Sequence, residues 1–236
     1  MSAGHAHLEP RATFWSYSDL LFFVGSMLPA LAIAFLVARL VGRAARFNQP
    51  FRLLFLQLVW YVLLAGSLYL IFKVRYGRRF WDSLGWRIPF RGMVGSIVGG
   101  PFLAVGLGAI GLLMRTPVIK LPMFDEMLSD LPTKILLCIF VAGLGPLCEE
   151  LAFRGFLMPL LARTFGLVTG IFGTALLFGL LHAPEYDYSW LHVILITTAG
   201  AVFGWVRART DSTAASTFLH STFNLTQLVG FFAQGQ

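Results

Sequence analysis

Charge is what this sequence has least of. Of its 236 residues, 18 are Lys or Arg and 11 are Asp or Glu, 12% in all. A soluble domain carries about 25%. So low a content excludes an ordinary soluble globular domain and, with it, an intrinsically disordered chain. Cysteine is almost as scarce. Cys138 and Cys148 are the two present. They lie in one apolar stretch, about 15 Å apart on a helix, which is too far for a disulfide. A disulfide-stapled secreted module is therefore excluded. Internal repeats, low-complexity segments and linkers long enough to separate domains are also missing. The N-terminus lacks a basic region ahead of a short apolar core, so no removable signal peptide is expected.

What the chain has is apolar length. Hydrophobic residues make up 57% of it. They gather into runs at Leu20–Ala38, Leu53–Phe72, Gly92–Met114, Ile135–Leu161, Leu167–Leu181, Leu191–Val206 and Thr213–Phe232. A transmembrane helix takes about 20 such residues. The expected fold is all-α: a polytopic membrane protein of about seven transmembrane helices. A tail and three helices are expected over 1–134 and a helical core over 135–236. Pro146 should kink the fourth helix. The net charge of +7 comes from basic residues between the runs, a pattern of juxtamembrane anchoring beside anionic lipid and not of nucleic-acid binding. Counted on alternate sides, ten Lys and Arg share the side of the N-terminus and seven the other, with Arg154 left inside a span. The bias predicts a cytoplasmic N-terminus. Trp15, Trp60, Trp81, Trp86 and Trp190 read as interfacial belt residues.

Ionisable groups at membrane depth are costly and need a partner or a cavity. The acids well inside a span are Glu149 and Glu150, and the base is Arg154. His182, His220 and Asn224 complete the set. Glu150 and Arg154 are four apart on one helix face and can neutralise each other. Glu149 is rotated about 100° away and has no such partner. The fourth and fifth helices meet at a turn near Phe165–Gly166. Glu149 and His182 lie equally far from that turn, about 24 Å along their helices, so they can be neighbours. Two chemistries fit a carboxylate, two imidazoles and an amide inside a bilayer. Glu149 with His182 can deprotonate a water, while His220 and Asn224 donate to an oxyanion. Alternatively, Glu149, His182 and His220 hold one zinc ion with a position open for water. Both predict hydrolysis of a carbonyl compound, most naturally a peptide bond.

These residues also form a recognisable series. Glu149-Glu150-Leu151-Ala152-Phe153-Arg154 resembles the EExxxR motif of the CPBP family of intramembrane proteases, the CAAX-protease and bacteriocin-processing family. Phe178 to His182 resembles its FxxxH motif, Gly200 to Gly204 its small-residue GxxxG segment, and His220 to Asn224 its HxxxN/D motif. They stand in the family's order. The resemblance implies an intramembrane endopeptidase acting on a membrane-associated protein or peptide. It implies Glu149 and His182 as water activators, His220 and Asn224 at the oxyanion, and Glu150 and Arg154 in support. The family includes both metalloprotease and metal-free glutamate proposals. The short chain looks like a prokaryotic member in a plasma membrane, and the CAAX substrate is not carried over. Two other classes compete: a non-catalytic immunity or scaffold protein keeping the protease fold, and a proton-coupled transporter.

Overall fold

A computed structural model describes residues 13–119 and 126–233, with only the backbone of Arg91. The expectations for the N-terminal tail, including Arg11, and for Lys120 fall outside the described residues. Among these, all regular structure is helical. The helices are α1 (Tyr17–Ala44), α2 (Gln49–Leu70), a short α3 (Phe80–Ser83) and α4 (Phe90–Leu113). A 35-residue α5 (Leu131–Phe165) follows, then α6 (Leu167–Leu181), α7 (Trp190–Thr210) and α8 (Thr213–Ala233). Apart from the short α3, they match the seven apolar runs.

Local chemistry sets where these helices start and stop. Ser16 caps α1, with its amide donating to Asp19 Oδ2 at 2.8 Å. Asn48 Oδ1 accepts from the Phe51 amide at 2.8 Å to open α2. Asp130 accepts from the Thr133 amide at the start of α5, whose first turn also holds Pro132, where a missing N–H costs nothing. Gly166, at φ +87°, breaks the chain between α5 and α6.

The expected kink at Pro146 takes the form of a widened helix. α5 turns to π geometry over Phe140–Leu144 and again over Leu151–Leu157. Each widened stretch is followed within two residues by a proline, Pro146 or Pro159. Proline has no N–H to donate and its ring crowds the carbonyl four residues back. A wider turn relieves that crowding and leaves carbonyls for other donors.

α1 packs on α2, α6 on α7, and α8 on α4, while α2 also leans on α5. One face of the bundle is clamped by polar contacts. Thr213 donates from its amide to Gly85 O at 2.9 Å, Arg163 to Thr13 O at 2.7 Å, and Arg87 pairs with Asp211. At the opposite face Asn48 donates to Asp130 at 2.8 Å. Trp15 is not a belt residue. It is 3% exposed and donates to Phe156 O at 3.1 Å, within an aromatic cluster that includes Phe14, Phe72 and Phe156. Trp60 likewise points inward, to Met27 O. Trp81 and Trp190 are exposed, as a belt requires.

The outer surface is apolar, with Leu28, Phe35, Phe102, Val105 and Leu112 exposed. α1, α2 with its extension to Arg75, α4, α5 and α7 are long and apolar enough to cross a bilayer. The protein is an integral membrane protein. α6 is apolar but has 15 residues, about 22 Å against a hydrocarbon core of roughly 30 Å. α8 has the length but carries a polar stripe, of which Thr213, Ser216, Thr217 and His220 are buried.

Candidate active site

The polar residues are carried by the middle of α5, the end of α6, α7 and the middle of α8. Glu150 and Arg154 form its base. Both are fully buried, with Arg154 Nη1 2.8 Å from Glu150 Oε1. A buried charge pair survives only when its remaining donors and acceptors are met, and here most are. Arg154 Nη2 donates to Gly200 O at 2.8 Å. Its guanidinium lies over the Phe178 and Phe203 rings, at 4.8 and 5.4 Å, where cation–π attraction replaces water. Glu150 also accepts from the Ser216 hydroxyl and from His220 Nδ1, the latter at 3.1 Å. Gly200 does more than let helices approach. A Cβ there would stand 3.1 Å from Arg154 Nη2, so the absent side chain admits the guanidinium to the backbone carbonyl.

His220 links the two acids. Its ring stacks on Phe203, 4.4 Å between centroids. With Nδ1–H directed at Glu150, the other nitrogen, Nε2, faces Glu149 Oε2 at 3.8 Å. That is too long for a hydrogen bond but places carboxylate and imidazole around one small volume. Glu149 is the more open acid, its side chain 17% exposed against 0% for Glu150. Its other oxygen, Oε1, accepts from the Tyr61 hydroxyl at 3.0 Å.

His182 lies just past the last turn of α6. Its Nδ1 is 2.8 Å from Phe178 O. A carbonyl only accepts, so Nδ1 carries the proton and a neutral ring keeps Nε2 as its lone-pair nitrogen. Among the described residues no hydrogen bond or ion pair joins His182 to Glu149. The histidine that Glu149 faces is His220, while His182 Nδ1 is held by the backbone of its own helix. Glu185, three residues beyond His182 in the α6–α7 loop, lies within electrostatic reach of both His182 and Glu149. Burial is the main influence pushing its carboxyl up, Glu149 adds to this, and His182 opposes it.

Asn224 is one turn beyond His220, and its amide donates to Val141 O at 2.9 Å. Val141 lies in the first π stretch of α5, so Asn224 satisfies a carbonyl in that widened turn. The amide has a second N–H.

Among the described residues no cluster of three or more His, Cys, Asp and Glu side chains is arranged to hold a metal ion. His182 Nδ1 is turned to Phe178 O and His220 Nδ1 to Glu150, so Nε2 is the nitrogen each ring leaves for a ligand. Cys138 and Cys148 are free thiols.

Residues 131–226 match a family described as type II CAAX prenyl endopeptidase Rce1-like. This segment is similar to that family. No curated protein and no solved structure matches the chain. The Rce1-like segment contains Glu149, Glu150, Arg154, His182, His220 and Asn224, and supports an intramembrane protease kind of function. It leaves out α1, α2 and α4. Tyr61 is therefore outside the matched segment, and sequence reasoning passed over it as an ordinary aromatic of an apolar run. Glu185 and Ser216 were also passed over. The signal for Ser216 was its place four residues before His220, on the same helix face.

Proposed function

We propose that this protein is an endopeptidase that hydrolyses a peptide bond of a membrane-associated protein or peptide within the bilayer. The observation that supports this best is the pairing of Glu149 with His220 Nε2, backed by the buried Glu150–Arg154 pair, inside a bundle of apolar helices. In this reading Glu149 takes the proton of an attacking water, with the His182 Nε2 lone pair assisting. Oxygen adds to the scissile carbonyl. The oxyanion is met by the remaining Asn224 N–H and by Nε2–H of a doubly protonated His220, whose Nδ1–H stays on Glu150. Collapse breaks the C–N bond, and the proton held by Glu149 passes to the leaving amine. Glu150 and Arg154 keep the His220 ring in place. No step is routed through a metal.

The host membrane is proposed to be a prokaryotic plasma membrane, with the N-terminus cytoplasmic. The test is cleavage by purified protein in liposomes, against lipid-anchored peptides that include a prenylated C-terminal series, followed by mass spectrometry. Cleavage should vanish in Glu149→Gln and persist in chelator. Loss of activity in chelator, restored by zinc, would replace the metal-free scheme. Biological function that survives Glu149→Gln, His182→Ala and His220→Ala would instead select the non-catalytic scaffold. Proton flux through Glu149 would select the transporter.

A further inference from the structure

Glu149 has two oxygens, and different helices face them. Oε2 faces His220 from α8 at 3.8 Å. Oε1 receives the Tyr61 hydroxyl from α2 at 3.0 Å. We propose that Tyr61 is a positioning residue for Glu149, holding the carboxylate by Oε1 so that Oε2 is the oxygen presented to the reacting water. This rests on the endopeptidase reading and deepens it.

The contact is built into the packing. The Tyr61 ring lies against Phe140, 5.3 Å between centroids. Phe140 opens the first π stretch of α5. The neighbouring Trp60 ties α2 to α1 through Met27 O at 3.1 Å. The hydroxyl is thus carried by a helix braced on both sides. A carboxylate held by one fixed donor is restrained about its terminal torsion, which is otherwise broad. Immobilising it before reaction keeps the abstracting oxygen in reach of its proton. Arg154, the one cation buried in the cluster among the described residues, pairs with Glu150. Hydrogen bonding to Glu149 is therefore left to a neutral donor, which orients the carboxylate without neutralising it. The consequence reaches beyond the matched segment 131–226: α2 completes the site.

Tyr61→Phe removes the hydroxyl and leaves the ring against Phe140, so the variant should fold as the parent does. Two measurements decide. The first is the infrared carboxyl band of Glu149 in the full-length protein in liposomes, isolated by subtracting the Glu149→Gln spectrum in each background. It should shift between parent and Tyr61→Phe. The second is cleavage of the best substrate found above. The value of kcat should fall roughly tenfold to a hundredfold, the usual range for a hydrogen bond to a charged group, with KM within about twofold. An unchanged band overturns the proposal, and so does a shifted band with kcat unchanged. A fall confined to KM assigns Tyr61 to substrate binding and also overturns it. If the parent cleaves nothing, the endopeptidase reading fails, and the band alone still decides whether Tyr61 holds Glu149.

Discussion

At the scale of single residues, Glu150 and Glu149 are adjacent acids in opposite surroundings, one enclosed and one partly open. Glu150 is enclosed by Arg154, Ser216 and His220. Removing it leaves Arg154 buried without its counter-ion. Glu150→Ala should therefore destabilise the protein by about 3–5 kcal/mol, read as unfolding in detergent. Replacing both partners, Glu150→Met with Arg154→Met, should recover most of that loss, because a well-packed apolar pair avoids the desolvation cost. Activity should stay lost in the double variant, since His220 Nδ1 then has no acceptor. If the double variant is as unstable as the single, the pair is not the isolated unit described here. The sequence spoke clearly on this pair because four-residue spacing is a local property of a helix. It was silent on His220 joining the two acids, and on Tyr61, because those contacts cross between helices and depend on azimuths that hydropathy does not carry.

At the scale of helices, apolar runs are easy to read and their interruptions are not. The runs located all seven long helices within a few residues, but the π turns of α5 follow from how Pro146 and Pro159 are accommodated against neighbours. Those turns explain why Asn224 is spent in part on Val141 O. Contact between α4 and α8 has the same tertiary character. A Cβ at Gly100 would lie 2.6 Å from Leu219 O and 2.7 Å from the Phe223 nitrogen, both backbone atoms on the helix that carries His220. Gly100→Ala should cost about 1–3 kcal/mol by overpacking and should lower cleavage by moving α8. Gly95, on the same helix, has open space around it. Gly95→Ala should be neutral or stabilise by up to about 1 kcal/mol through lost unfolded-state entropy. Equal effects at the two positions would argue against this packing.

The helix caps make a separate, pH-dependent case. Asp130 caps α5 and is hydrogen-bonded by Asn48, the cap of α2. Hydrogen bonding by Thr133 first, and Asn48 after it, holds the Asp130 carboxyl below its usual range. A carboxyl depressed in the folded state adds stability that is complete above its unfolded value, about 3.9, and is lost as pH falls through the folded value. Wild-type protein should melt above Asp130→Asn near pH 7. The gap should close on acidification below about pH 4, because only the wild-type residue titrates. A gap that persists at low pH would mean that the charge of Asp130 contributes nothing.

For the whole molecule, the question is which face of the bundle meets which compartment. The contacts sort the connections without ambiguity. Thr13, Gly85, Arg87, Arg163, Asp211 and Thr213 meet at one face, and Asn48 meets Asp130 at the other. This is the alternation assumed when charges were counted, and it puts Arg75, Arg78, Arg79, Arg87 and Arg163 with the N-terminal face. A positive excess belongs on the cytoplasmic side. The opposite face receives the loop between α6 and α7, with Glu185 and Asp187 and no Lys or Arg. Because α6 is too short to span the hydrocarbon core, the end of α6 and His182 sit below that face, and water for hydrolysis would come from there. Single thiols test the assignment in cells, on a background with Cys138 and Cys148 replaced by Ala. With a membrane-impermeant maleimide, Asp187→Cys should label in intact cells. Arg79→Cys should label only after permeabilisation. The reverse pattern would turn the molecule over and place the open end of the site toward the cytoplasm, where a peptide leaving the ribosome or a lipid-modified cytoplasmic protein would reach it first.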